Sequence, residues 1–279
     1  MMAAVRFEKW QALGNDYLIF ERAEMTPARV RRLCDPHLGP GADGVLTLQD
    51  PEDPANTARL RIFNPDGSEA ELSGNGARQA FLYLRRAGWT DSDDLKIETA
   101  AGTIAGTLTS ETTARVEMGR ARLTSADFPD GPPDGRGVLV AADASLAFRH
   151  VNVGNPQCTI HIEDPDSLDL KRYGPEIERN ALFPNRTNVS FWDEAGDGIR
   201  ARIFERGVGE TSASGTGACG AAVAYVLDGG RSPVTVHLDG GELTVEIDSE
   251  LNVRLTGWAV PVYSGQLSAE LERDLQTIE

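Results

Sequence analysis

Two short segments of this chain repeat each other, and that repeat constrains the fold more than any other feature. Ser73-Gly74-Asn75-Gly76-Ala77 and Ser214-Gly215-Thr216-Gly217-Ala218 each open a run with helical character. Each serine lies nine residues after the first residue of a polar loop, Asn64 in one case and Glu205 in the other, and four after a glutamate, Glu69 or Glu210. Gly14-Asn15 precedes Ser73 by 58 residues, counted from the asparagine, and Gly154-Asn155 precedes Ser214 by 59. Three anchors in one order at nearly constant spacing indicate an internal duplication with a period near ~140 residues, too long for a solenoid repeat. Two homologous domains are therefore expected, here 1–119 and 120–263, with 264–279 packing back on the first; the Pro/Gly-rich stretch Phe128–Gly137 falls near the join. The length of 279 residues agrees with a prior of ~150 residues per domain.

Most of the remaining pattern reads as strands. Alternating polar and apolar runs bounded by Gly, Pro, Asn or Asp occur at 17–20, 45–48, 59–63, 96–99, 103–109 and 115–118. In the second half they occur at 138–141, 159–162, 187–191, 199–204, 234–238, 242–247 and 251–256. The first predicted helix, 76–86, places Ala77, Ala80, Phe81 and Leu84 at i, i+3, i+4 and i+7, an amphipathic spacing. The second, 217–227, is apolar on nearly every side and should be buried. Gly88 and Gly229 follow as stops. The run 270–279 reads as a solvated helix or a frayed tail.

The chemistry concentrates at the two helix starts. A Ser-Gly-x-Gly start offers a capping hydroxyl and several unpaired N–H groups, which together with the helix dipole bind anions. If a pseudo-twofold axis faced the two starts toward each other, one carboxylate would be held between them, with a serine on either side of the neighbouring carbon. That is the geometry for taking a proton from one face and returning it on the other. As isolated residues both serines would be plain N-caps; their matched contexts favour the functional reading.

Composition narrows the partners. With 43 acidic against 27 basic side chains the net charge is −16, which disfavours nucleic acid and anionic membrane surfaces. No apolar run approaches ~18 residues, so no membrane-spanning helix is expected. Residues 1–10 lack a secretory h-region, and three cysteines cannot make a disulfide framework, so a reducing cytoplasm is expected. Lysines occur only at 9, 96 and 171, leaving few candidates for a pyridoxal Schiff base. Gly215-Thr216-Gly217-Ala218-Cys219-Gly220 satisfies G-x-G-x-x-G but does not follow directly on a strand, so no nicotinamide site is expected. The chain lacks a P-loop, and Ala213-Ser214-Gly215 lacks the glycine of a nucleophile elbow. His37, His150, His161 and His237 are scattered, which makes a metal site improbable and a structural role the better reading of each. Cys219, inside the buried helix, reads as a packing residue.

These motifs resemble the diaminopimelate epimerase family. The similarity rests on Gly14-Asn15-Asp16, Gly41-Ala42-Asp43-Gly44, Phe63-Asn64-Pro65-Asp66-Gly67-Ser68-Glu69-Ala70 and Gly74-Asn75-Gly76-Ala77-Arg78 in the first half. In the second it rests on Gly154-Asn155-Pro156, Asn185-Arg186-Thr187-Asn188-Val189, the run Glu205-Arg206-Gly207-Val208-Gly209-Glu210-Thr211 and Gly215-Thr216-Gly217-Ala218-Cys219. It extends to Leu255-Thr256-Gly257, essentially the whole chain. The resemblance implies an α/β fold of two pseudo-symmetric domains, each a curled mixed or antiparallel sheet around a central helix, with the site in the cleft. It implies cofactor-independent epimerisation of LL- to meso-diaminopimelate. Gly74, Asn75, Gly215 and Thr216 would hold the reacting end of the substrate. Asn15, Asn64, Asn155, Asn188 and Arg206 would hold the distal end. Physics also selects Arg206, because a guanidinium fork matches a distal carboxylate bidentately; the competing reading is an exposed ion pair with Glu205 or Glu210. A homodimer is implied by the similarity of Val262-Tyr263-Ser264-Gly265 to a C-terminal strand whose tyrosine lies at a dimer contact.

The sequence departs from the family pattern at its chemical centre. Ser73 and Ser214 stand where the family carries catalytic cysteines, and Gln157 stands where a histidine usually follows Asn-Pro. Glu205 matches the glutamate thought to tune the thiols. Gly44 occupies a position where some members use glutamine, and Trp258 replaces a usual proline. A thiol of reference pKa ~8.5 is readily ionised near a helix terminus, whereas a serine hydroxyl requires strong activation. Impaired turnover is therefore expected, with Glu205 the one evident proton acceptor. Paired serines fit an inert engineered form or a natural paralogue, and Gln157 favours the paralogue. Alternative activities are a sister amino-acid racemase or dehydratase on the same fold, or ligand binding without turnover.

Overall fold

The computed structural model describes residues 5–278. The first half of the chain supplies β1 (Arg6–Ala12), β2 (Asn15–Glu21), α1 (Pro27–Cys34), β3 (Val45–Gln49), β4 (Ala58–Phe63), β5 (Glu69–Ala70), α2 (Gly74–Arg86), β6 (Asp94–Thr99), β7 (Gly102–Leu108) and β8 (Thr113–Arg120). The second supplies β9 (Arg136–Ala141), β10 (Ala144–Asn152), β11 (Pro156–His161), α3 (Leu170–Glu178), β12 (Asn188–Ala195), β13 (Gly198–Glu205), β14 (Gly209–Thr211), α4 (Gly215–Leu227), β15 (Val234–Leu238), β16 (Gly241–Ile247) and β17 (Asn252–Trp258). The chain closes with β18 (Val260–Gln266) and α5 (Ala269–Thr277). Two compact units result: one contains the chain up to Val116 and again from Gly257, the other Glu117–Thr256.

The duplication extends to the strand order. In the first unit β1 and β2 are antiparallel, β2 runs parallel to β3, and β3 is antiparallel to β4. Strand β4 then pairs antiparallel with β5 and parallel with β6, which continues antiparallel into β7 and β8. In the second unit β10, β11, β12, β13, β14, β15, β16 and β17 repeat that sequence of orientations without exception. Helix α1 thus corresponds to α3 and α2 to α4. The outer neighbour of the first strand differs in origin. It is the preceding strand β9 beside β10, but β18, from the far end of the chain, beside β1.

Each unit is a curled mixed sheet around one helix. Helix α4 is buried from Gly215 to Ala224, as an apolar surface on all sides requires. Helix α2 differs from its amphipathic pattern, because it too is buried, from Gly74 to Leu84. The charged exception to the pattern is Arg78, which, like the neighbouring amide Gln79, is 0% exposed. Its guanidinium turns back along its own helix, donating to Gly74 O at 3.1 Å and to Asn75 Oδ1 at 2.6 Å, so the charge is bonded within the unit. Smaller cores lie under the outer helices: Phe7, Phe20, Val30, Leu33 and Leu275 join α1 and α5, and Phe148, Leu170, Ile177, Phe183 and Phe191 join α3 to its strands. The tail from Ala269 is a helix capped by Ser268, with Leu275 buried.

Candidate active site

Both serines are N-caps with nearly identical backbone. Ser73 has φ −134° and ψ 121° and accepts from Gly76 N–H at 3.0 Å. Ser214 has φ −132° and ψ 121° and accepts from Gly217 N–H at 3.2 Å. Each begins a helix of 13 residues, so the duplicated motifs do form duplicated serine-capped helix starts.

In the first unit, Asn75 Nδ2 donates to Asn15 Oδ1 at 3.3 Å, and Gln79 Nε2 donates to Asn15 O at 3.1 Å. Asn15 Nδ2 reaches Asp43 Oδ2 at 3.2 Å, and Asp16 pairs with Lys9 at 2.9 Å. Asn15, Ser73, Gly74 and Asn75 are thereby gathered at one helix start. The amide of Asn64 is engaged in its own turn, donating to Ser68 Oγ at 3.0 Å. Sequence reasoning missed Tyr17, whose hydroxyl donates to Ser73 Oγ at 3.4 Å. The signal was present: Tyr17 follows Asn15 by two residues, as Gln157 follows Asn155. Tyr17 also explains Gly44, since a Cβ at that position would lie 2.5 Å from the tyrosine ring and 2.4 Å from Phe63 O.

In the second unit, Gln157 Nε2 donates to Asn155 Oδ1 at 2.7 Å, and Asn155 Nδ2 donates to Thr216 Oγ1 at 3.2 Å. Gln157 is fully buried, and its Oε1 accepts no hydrogen bond. A chain of hydrogen bonds thus links Gln157 through Asn155 to Thr216 at the start of α4. Asn188 sits between strands, donating from Nδ2 to Pro156 O at 2.9 Å and accepting from Arg206 N–H at 2.9 Å. The Arg206 guanidinium is exposed and donates to Asn185 O at 3.0 Å. Glu210, one of its expected ion-pair partners, is instead paired with Arg202.

Glu205 is the titratable group that faces the Ser214 cap. Burial raises its carboxyl above the ordinary value, and the hydroxyls of Thr211 and Ser214, which face it, oppose that rise. The two serines are therefore in unlike surroundings, Ser214 against a carboxyl and Ser73 against a phenol. Cys34 and Cys158 offer no ready thiolate. All three cysteines are buried, burial pushes Cys34 up to about 12, and it raises Cys158 well above its ordinary value. His150 is also buried and structural, its Nε2 lying 2.9 Å from Ser125 Oγ. Lys9 is bonded to Gly41 O as well as to Asp16, while Lys96 and Lys171 occupy exposed positions on β6 and α3.

The chain resembles known proteins in both sequence and fold. The sequence model described as diaminopimelate epimerase matches residues 7–124 and 149–262. The chain is 39% identical to a diaminopimelate epimerase of Pelotomaculum thermopropionicum, over 94% of this chain and 98% of that one. It is 40% identical to that of Desulforudis audaxviator, over 94% and 99%. Among solved structures, a hydroxyproline epimerase from Agrobacterium vitis superposes with a TM-score of 0.72 at 14% identity, covering 96% of this chain and 93% of the other. A Bacillus anthracis phenazine biosynthesis protein of the PhzF family superposes with 0.69 at 18%, covering 96% and 100%. These two share the fold. With the family's sequence pattern spanning both halves and both capped helix starts in place, the chain belongs to the diaminopimelate epimerase family.

Proposed function

We propose that this chain is an isomerase of an amino dicarboxylate, diaminopimelate or a close relative, and inverts one α-carbon without a cofactor. The observation that carries the reading is the pair of serine-capped, glycine-rich helix starts, matched within 2° in φ and identical in ψ, in a chain of this family. On this reading Gly74, Asn75, Gly215 and Thr216 bind the reacting carboxylate through N–H groups and helix dipoles. Asn15, Asn64, Asn155, Asn188 and Arg206 bind the distal end, with Arg206 on its carboxylate. Glu205, acting at Ser214, accepts the α-proton on one face, and Ser73 with Tyr17 returns one on the other. Gln157 holds Asn155 in register. Calorimetric titration with LL- and meso-diaminopimelate tests the binding; no heat with either at millimolar ligand counts against it.

A second reading, binding without turnover, is favoured by one observation: the capping groups are hydroxyls rather than thiols at both helices. It predicts affinity with no solvent deuterium at Cα, while a sister racemase or dehydratase would be found by product analysis across amino acids. We also propose a homodimer in a reducing cytoplasm. The supporting features are the exposed Val262 and Tyr263 on β18, and three cysteines that all remain thiols. A monomeric mass by light scattering at micromolar concentration would reject the dimer. Among the described residues no helix is long and apolar enough to cross a membrane.

A further inference from the structure

Glu178, the last residue of α3, is 2% exposed and has no part in the proton chemistry above. Its Oε1 accepts from Gly207 N–H at 2.8 Å and lies 3.4 Å from Arg186 Nη1. Its other oxygen, Oε2, accepts from Arg179 Nε at 3.2 Å, and its carbonyl accepts from Thr187 N–H at 3.1 Å. The carboxylate therefore ties two segments together. One is the Asn185–Asn188 stretch, and the other is the end of β13 at Glu205 with the turn that follows it, Arg206 and Gly207. The helix is pressed onto that turn as well, since Gly174 leaves room for the Phe204 ring, which would lie 2.4 Å from a Cβ there.

Arg206 is thus fixed from three directions. Its own N–H is bonded to Asn188, its guanidinium to Asn185 O, and the next residue's N–H to Glu178. The other unit solves the same problem with the opposite charge. There Arg31 of α1, the counterpart of α3, donates to Asp66 O at 3.1 Å in the equivalent turn. In both halves the outer helix grips the turn that precedes the capped helix. In the second half the grip is a buried carboxylate accepting from a backbone N–H, and in the first a guanidinium donating to a backbone carbonyl, each a charge-assisted hydrogen bond.

We propose that Glu178 is a positioning residue: it fixes the Arg206–Gly207 backbone so that the exposed guanidinium is held for the distal carboxylate of the ligand. The proposal rests on the reading of Arg206 given above. Its test is a set of variants, Glu178→Ala, Glu178→Gln and Arg206→Gln, measured for meso-diaminopimelate affinity by calorimetry and for amide exchange at Gly207.

In Glu178→Ala the Gly207 amide exchanges at least about tenfold faster and Kd rises about tenfold, because a charged hydrogen bond is lost and a donor left unpaired. Glu178→Gln keeps an acceptor for Gly207 and restores Kd to within about threefold. In an Arg206→Gln background Glu178→Ala changes Kd by less than about twofold, because the effect passes through Arg206. Should Glu178→Ala not fold, Glu178→Asp, which keeps the charge but shortens the reach, replaces it. A folded variant with wild-type exchange at Gly207, or an additive cycle, overturns the proposal. No heat from the unaltered protein overturns the substrate reading instead, and the Gly207 exchange rate then decides the clamp alone.

Discussion

The hydroxyl of Tyr17 donates to Oγ of Ser73 at 3.4 Å, while the matching sequence position in the second half, two residues after Asn155, is the amide Gln157, which donates to Asn155 Oδ1 at 2.7 Å. The two halves share a backbone plan but not a proton inventory. A phenol with a reference pKa of ~10 gives up a proton far more readily than an alcohol, and a carboxyl more readily still. The two hydroxyl caps therefore differ in what lies against them, a phenol at one and a carboxyl at the other.

Removing the phenol oxygen isolates its contribution. Tyr17→Phe should cost about 1 kcal/mol or less of stability, since the bond is long and Ser73 keeps its partner Gly76. Deuterium incorporation at Cα should fall about 10²-fold, the scale of a lost general acid. Unchanged incorporation, measured by mass spectrometry in heavy water, would remove Tyr17 from the reaction.

Restoring thiols should restore rate. The unaltered chain is expected to turn over ~10²–10⁴-fold more slowly than the Ser73→Cys, Ser214→Cys double variant, because a thiolate forms near neutral pH at a helix N-terminus and an alkoxide does not. Each single variant should recover little, since inversion needs a group on both faces. If the unaltered chain already matches the double variant, the hydroxyls are sufficient and Glu205 carries more of the chemistry. If the double variant stays silent, Gln157 is the first residue to change.

Glu205 gives a pH signature. Its folded pKa is raised by burial, so the folded state holds the proton more tightly than the unfolded chain does. The resulting stability is present in full below the unfolded carboxylate value and is lost as pH rises through the folded one. Glu205→Gln cannot ionise, so its thermal midpoint relative to the unaltered protein should climb with pH across that interval. A difference that does not vary with pH would show that the carboxyl is not perturbed. In the unaltered protein, proton abstraction should grow over the same interval, as the carboxyl becomes a base.

Gly220 tests the packing behind Asn155. A Cβ there would lie 2.9 Å from both Cβ and Cγ of Gln157, and those atoms cannot swing aside as a side-chain tip can. Gly220→Ala should destabilise the protein by about 1–3 kcal/mol in urea unfolding, the usual cost of overpacking. It should also weaken ligand binding, because Gln157 steadies Asn155. A neutral substitution would mean that Gln157 is free to move.

The sequence by itself determined the duplication, the two capped helices and most strands of both halves. Each depends on local chemistry: a serine cap, glycines at a helix start, and alternation of polar and apolar residues. It also placed Cys219 and its helix in the interior, because a segment apolar all round has no face for water. It did not determine that Arg78 would be buried on α2, where periodicity alone puts a charge toward solvent. Nor did it identify Tyr17 as the neighbour of Ser73, 56 residues away, or Glu178 as the clamp on Gly207, 29 residues away. The outer neighbour of β1 likewise had to come from the far end of the chain, as β18. Those decisions belong to tertiary structure. A buried charge or a side-chain bond is set by what the fold brings within about 3 Å, and sequence spacing carries that information only where the partners share one turn or one helix.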